Sequence, residues 1–385
     1  MKFSIIIPVF NVEDYIGYCL DSITNNMFED DIEIICIDDA STDKSLEIIE
    51  SYQKKFLNIR LYKNSFNKGV AFCRNKGIEI ATGEYIWFVD SDDEISPNAF
   101  AILNQEINKV KADIICFNAD VFGPDFRAPF SSENYKNSLR CLNHQRKNIS
   151  SFFLITNLWL CCIKNAFIRK NNLKFKDNLT VFEDWVFLWY LACLSPSVSY
   201  LDLTLYNYRV VVKNSLTKSY REGKETISIF DVWYDVKEKL KLNECLHSNE
   251  QYCLIRANDI FYHFFNHKRY SVSAYRQYCS KYSCFLSEIH NDLFRYIING
   301  YSSEDRKQMR LIRNKPGKAF RAFIYRKCGI LKIKKYIKPL ILPLDYVFNW
   351  LKKCVFFSYY FSVFLFKLIL NIHWVIVSFI SSKLE

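Results

Sequence analysis

The first third of the chain alternates between two hydrophobic periods. Residues 3–9 (FSIIIPV), 32–37 (IEIICI) and 85–89 (YIWFV) are short, nearly continuous apolar runs, and 59–62 and 113–117 are two more. Runs of this length read as buried parallel strands. Between them apolar side chains recur at helical spacing. Val12, Ile16, Cys19, Leu20 and Ile23 form one such set, and Leu46, Ile48, Ile49, Tyr52 and Phe56 a second. Val70, Cys73, Ile78 and Ile80 form a third, and residues 97–110 give another helix. Ser41 or Thr42 is suited to cap the second helix, and Asn67-Lys68-Gly69 is a turn into the third. Strands and helices alternating at this spacing predict right-handed βαβ units and an α/β fold with a mostly parallel sheet flanked by helices. Polar residues follow the strands at Asn11, Asp39, Asn67 and Asp90. In such a sheet, side chains at the carboxyl ends of the strands face one crevice.

The pattern then changes. Residues 120–150 are polar and irregular and read as a variable loop. A helix is expected at 165–171, a second from Val181-Phe182-Glu183-Asp184-Trp185 to about Cys193, and short strands at 198–201 and 205–209. Residues 225–300 carry long 3.6-residue patterns rich in Tyr and Phe, a helical layer. From 306 onward, basic and apolar residues interleave. Residues 354–366 are uncharged, Lys367 interrupts, and 368–382 continue apolar with Asn371, Ser378 and Ser382 near one helix face. That is an amphipathic pattern and not an unbroken span. The expected division is 1–220 for the α/β domain, 221–305 for a helical extension, and 306–385 for a basic, aromatic-rich tail.

Charge sharpens this division. Residues 306–385 hold 17 Lys and Arg against Asp345 and Glu385, a net +15, whereas the whole chain is +11. An anionic partner for the tail follows. Its charges are spaced by Phe and Ile, which suits an anionic bilayer surface and not nucleic acid. Interfacial attachment, a spanning helix, and a packing or dimerising role are the readings open to it. The nine glycines leave little for a phosphate loop, and neither GxGxxG nor GxxxxGK[ST] occurs. The 14 cysteines include no CxxC pair, and no leader is expected ahead of the strand at Phe3. Reduced thiols packed as small hydrophobes in a cytosolic protein are expected.

The chemistry-bearing stretch is EYIWFVDSDD, 84–93, where a buried strand runs into Asp90, Asp92 and Asp93. Carboxylates this close raise one another's pKa unless a cation sits among them. A hard divalent ion, Mg²⁺ or Mn²⁺, bound through one or two carboxylates and substrate phosphates, fits oxygen ligands. The competing reading is an acidic turn before a helix that starts at Ser96-Pro97. Glu183-Asp184 could likewise be acids at a helix N-terminus.

Five motifs then occur in order: IIIPVFN, CIDDASTD, NKGVAFCRN, ATGEYIWFVDSDD and FEDWVF. Together they resemble the GT-A fold of family 2 glycosyltransferases, over about the first 120 residues and more weakly to about Thr217. The resemblance implies a nucleotide-sugar donor, usually UDP-linked, a divalent metal, and inversion at the anomeric carbon. By position, Pro8, Val9, Phe10 and Asn11 line the base and ribose pocket, with Glu13 following. Asp39 accepts a hydrogen bond from the uracil, and Asp38 supports the turn. Asn67, Lys68 and Arg74 lie near the nucleotide. Asp90 contacts the ribose or the metal, Ser91 lies between, Asp92 ligates the metal, and Asp93 supports the turn. Asp184 is the general base. The family's Trp-Asn-Lys is Trp159-Leu160-Cys161 here, and no QxxRW of processive synthases is present, which points to transfer of a single sugar. The resemblance also implies a lipid-linked surface-glycan acceptor at the inner face of a bacterial membrane; a second copy of the chain is a further candidate partner. The rivals are a sugar-nucleotide pyrophosphorylase, which should show a glycine-rich loop where Pro8-Val9-Phe10-Asn11 stands, and a non-catalytic membrane-binding homologue, against which the intact Asp39, Asp90, Asp92 and Asp184 argue.

Overall fold

The computed structural model describes residues 1–26, 32–130, 157–177, 183–194, 196–210, scattered positions between 230 and 262, and 272–327. Met1–Phe320 is one compact unit and Arg321–Glu385 a second. Residues 328–385, which carry the uncharged runs of the tail, lie outside the described residues.

The first strands and helices alternate as β1 (Phe3–Val9), α1 (Ile16–Thr24), β2 (Ile32–Asp38), α2 (Ser45–Gln53), β3 (Ile59–Lys63), α3 (Val70–Ile80) and β4 (Tyr85–Phe88). Strands β3, β2, β1 and β4 lie side by side and parallel. All of β2 and β4 is buried, and so is β1 apart from the half-buried Pro8. Helices cover both faces, so these strands have no polar side to alternate. Beyond β4 come β5 (Glu94–Ile95), α4 (Ala99–Val110), β6 (Ile114–Gly123), β7 (Phe126–Pro129), β8 (Cys161–Lys164), α5 (Asn165–Lys170), α6 (Glu183–Cys193) and β9 (Val198–Arg209). The sheet continues from β4 through an antiparallel β8 to β6, β9 and β5. A helical layer follows: α7 (Val272–Glu288), α8 (Asn291–Asn299), α9 (Ser303–Asn314) and α10 (Pro316–Lys327). Tyr278, Tyr282 and Phe285 of α7 pack around Phe261 and Phe230.

Two expectations need correction. Residues 198–209 are one strand, not two. The register to β6 jumps from Cys116↔Tyr200 to Asn118↔Thr204. The polar stretch at Asp202 is thus a bulge, its carboxylate accepting from Asn118 Nδ2 at 3.0 Å, and pairing survives the broken alternation. The expected loop from 120 begins instead as a hairpin, because β6 runs on to Gly123 and turns through Pro124-Asp125 into β7. Residues 131–156 lie outside the described residues.

At the amino ends of the strands, the buried Glu33 ties elements together. It accepts from Ser4 Oγ (2.6 Å), Thr82 N (2.5 Å) and Arg60 Nη1 (3.0 Å). Gly83 passes so close that a Cβ there would meet Phe3 C and Ser4 N at 2.6 Å. This knot fixes β1, β2 and β4 in register, and their opposite ends carry the polar loops.

Candidate active site

Three loops leave the carboxyl ends of β1, β2 and β4 together. Asn11, held at φ 51°, donates its N–H to Ser41 Oγ (3.1 Å), and its Oδ1 accepts from Thr42 N (2.8 Å). Glu13 accepts from Lys44 N (2.8 Å), and Val12 N donates to Ser45 Oγ (2.9 Å). Asn11 and Glu13, both expected near the nucleotide, thus stitch the first loop to the second. Phe10 stands 46% exposed at the lip, whereas Val9 is buried beneath it.

Asp39 is buried, and its carboxylate accepts from Asn64 Nδ2 (2.7 Å), Lys68 N (2.8 Å) and Gly69 N (2.7 Å). Gly69 has φ 88°, a conformation that glycine adopts without steric cost. The Asp39 side chain therefore shapes the turn into α3. Lys68 lays its ammonium over the rings of Phe66 (5.1 Å) and Phe72 (4.3 Å). Asn67 is exposed, and Asp38 closes its own turn through Ser41 N.

Arg74 occupies the centre. It is 5% exposed, donates Nη2 to Asp90 Oδ1 (3.0 Å) and Nη1 to Glu183 Oε1 (2.7 Å), and lies 5.5 Å over the Phe175 ring. Phe175 stacks on Phe187 of α6 at 4.1 Å, and both meet Phe88 edge-on. Packing on β4 and an ion pair from α3 thus seat the first turn of α6 beside the Asp90 turn. Glu183 is consumed by Arg74. Asp184 is half-buried, and burial together with the charge of Glu183 pushes its carboxyl well above the usual carboxylate range.

The turn after β4 is held from β9. Tyr206 Oη donates to Asp93 Oδ2 (2.7 Å) and accepts from Asp90 N (3.1 Å). Arg209 donates its backbone N–H to Asp93 Oδ1 (2.7 Å) and Nε to the Asp92 carbonyl (2.8 Å), and pairs through Nη2 with Glu94. Ser91 is buried. Asp92 is half-buried; burial and the charge of Asp90 push its carboxyl up to about 6. Tyr206 and Arg209 escaped the sequence reading. Their only signal there was a tyrosine-rich strand, YNYR, ending in a basic residue. Leu160 and Cys161, which replace the family's Asn and Lys, are buried, and the Trp159 carbonyl accepts from Trp87 Nε1 (3.0 Å). A cavity of about 550 Å³ lined by Ser22, Glu94, Asn98, Arg127 and Asn207 shares Glu94 with this turn, but not Asp90, Asp92 or Asp184.

Residues 4–174, which include β1 to β4 and the Asp90 turn, match the model of glycosyl transferase family 2. That segment carries the domain of this family. Similar proteins include the poly(ribitol-phosphate) beta-glucosyltransferase of Bacillus spizizenii, 52% identical over 101 residues, which are 26% of this chain and 16% of that protein. Another is the uncharacterized glycosyltransferase EpsJ of Bacillus subtilis, 33% identical over 218 residues, 56% of this chain and 62% of that one. The chain thus spans less than two thirds of either relative. S. aureus TarS 1-349, solved in complex with UDP-GlcNAc, superposes with a TM-score of 0.65 at 22% identity, covering 83% of this chain and 90% of that one. That likeness shows the chain to have the GT-A fold. Among the described residues no helix is long and apolar enough to cross a membrane.

Proposed function

We propose that the chain is an inverting glycosyltransferase that moves one sugar from a UDP-sugar to a hydroxyl of a bacterial surface glycan, with Asp184 as general base. The observation that carries this reading is the Arg74 bridge. It brings a carboxylate of the Asp90 turn and the Glu183-Asp184 pair to one place, although 109 residues separate Arg74 from Glu183. The name of the poly(ribitol-phosphate) beta-glucosyltransferase supports sugar transfer to a polymer, and the UDP-GlcNAc complex of TarS supports a UDP-linked donor.

Direct displacement needs a nucleophilic hydroxyl and a stabilised leaving diphosphate. Glu183 is neutralised by Arg74, so Asp184 is the carboxylate of this pair left to take the acceptor proton. A raised pKa suits a base that works near neutrality. Neighbouring helical residues point ~100° apart, which keeps the two roles separate. Phe10 offers an exposed ring face to the base. Asp39, with three lone-pair sites already used by the chain, acts on the nucleotide through the Lys68-Gly69 turn that it anchors.

A divalent ion fits the Asp90 turn. The described residues hold no cluster of three or more metal-ligating side chains, so the donor's own oxygens would have to complete any shell. Asp90 has one oxygen committed to Arg74, and Asp92 is raised by its neighbour, a tension that a cation relieves. Asp92 and the second oxygen of Asp90 would hold Mn²⁺ or Mg²⁺, which would neutralise charge on the departing diphosphate. The acceptor is lipid-linked and the basic tail brings the enzyme to the cytoplasmic face of the membrane.

The test is UDP release by full-length protein across a panel of UDP-sugars with acceptor-bearing membranes, and anomeric analysis of the product. Release stopped by EDTA and restored by Mn²⁺ or Mg²⁺, with a β-linked product from an α-linked donor, is expected. An α-linked product would overturn inversion, and full activity in EDTA the metal role.

A further inference from the structure

Strand β9 ends against the turn that carries Asp92, and the Arg209 side chain makes two of the bonds across that junction, beside those of Tyr206 and of the Arg209 backbone. The guanidinium of Arg209 reaches past Asp93 to the Asp92 carbonyl and to Glu94. It lies 4.4 Å over the Phe122 ring, with Tyr15 and Tyr18 at 5.5 and 5.6 Å, and its side chain is only 18% exposed. Within the turn, one backbone bond, Asp93 N to Asp90 O at 3.1 Å, closes the chain on itself. The shape of residues 91–94 therefore depends on donors arriving from β9.

We propose that Arg209 is a positioning residue for the donor site, holding the Asp92-Asp93-Glu94 backbone in the shape that presents the Asp92 carboxylate to the leaving diphosphate. This rests on the reading that Asp92 serves the donor site. The division of labour between the two residues of β9 makes it separable from folding. Tyr206 Oη and the Arg209 backbone N–H hold the Asp93 carboxylate, and neither bond involves the guanidinium. The guanidinium grips what lies on either side, a carbonyl before Asp93 and a carboxylate after it. A planar fork presents its donors to two such acceptors in a fixed geometry, whereas the three donors of an ammonium sit at the end of a flexible stem and are aimed less firmly. Replacing Arg209 by Met keeps the apolar packing on Phe122 and both bonds to Asp93, but frees the Asp92 carbonyl and Glu94.

The experiment measures UDP binding by calorimetry in the presence and absence of Mn²⁺, together with thermal unfolding, on full-length wild type, Arg209→Met, Arg209→Lys, Glu94→Gln and Asp92→Asn. The expected result is at least tenfold weaker UDP binding with Mn²⁺ for Arg209→Met and an intermediate loss for Arg209→Lys and Glu94→Gln. Binding without Mn²⁺ and the melting temperature should stay near wild type. If Arg209→Met does not fold, Arg209→Lys and Glu94→Gln carry the test. Wild-type Mn²⁺-dependent binding in every Arg209 and Glu94 variant, while Asp92→Asn has lost it, overturns the positioning role and leaves the donor-site reading intact. Retention by Asp92→Asn as well overturns the donor-site reading itself. A loss that is equal with and without Mn²⁺ and accompanied by a lower melting temperature also overturns positioning, in favour of a merely structural role.

Discussion

Removing the Arg74 guanidinium should unfold the site before it touches the chemistry. Arg74→Met keeps the side-chain length over Phe175 and deletes the charge between Asp90 and Glu183. The side chains of Arg74 and Glu183 are 7% and 8% exposed, so their bond is barely screened; Asp90 is 32% exposed and its share must be discounted. Breaking a buried pair by removing one partner costs about 3–5 kcal/mol, because a desolvated charge is left behind. Most of that loss should come from Glu183. Glu183→Gln keeps an acceptor for Nη1 and should cost about 1.5–3 kcal/mol, the range of one hydrogen bond to a charged group. The double variant should then be more stable than the sum of the two losses by about 1–3 kcal/mol. Urea unfolding of the four proteins, followed by tryptophan fluorescence at one pH near neutrality, closes the cycle. Additive losses, or a cost below about 1 kcal/mol for Arg74→Met, would refute the bridge as the link between α3, the Asp90 turn and α6.

Glu33 should show in the acid limb of stability. Burial would raise its pKa, but the bonds from Ser4, Thr82 and Arg60 outweigh that and hold it below its ordinary value. A depressed carboxylate stabilises the fold above its unfolded pKa, and the contribution is lost as pH falls through the folded value. Wild type should therefore lose stability on acidification more steeply than Glu33→Gln, and parallel curves would contradict this. For the tail, vesicles containing anionic lipid should sediment with the full chain and not with a truncation after Lys327. High salt should release it only in part, because buried apolar groups are not screened. Equal sedimentation by both forms would instead support a packing role for residues 328–385.

The α/β core was legible because its strands are buried on both sides and stand out as continuous apolar runs. The order of polar loops after β1, β2 and β4 followed from the same pattern. What stayed hidden was contact across the sequence. Asn11 and Glu13 were read as residues near the nucleotide, and the sequence did not show that each also accepts a hydrogen bond from the neighbouring loop. Arg74 sits in a motif near the expected nucleotide, and only the fold brings it to Glu183. Tyr206 and Arg209 belong to a strand that periodicity split in two at Asp202. A bulge is invisible to a two-residue alternation, so 198–201 and 205–209 read as two short strands, and nothing in the sequence tied the second of them to the Asp90 turn.

The most direct test of the central claim compares Asp184→Asn with Glu183→Gln in single-turnover transfer from the preferred UDP-sugar. Asp184→Asn removes basicity while keeping shape, so the rate should fall ~10²–10⁴-fold with donor affinity little changed. Glu183→Gln should lose stability first and rate less. A large rate loss in folded Glu183→Gln, with Asp184→Asn near wild type, would contradict Asp184 as the base.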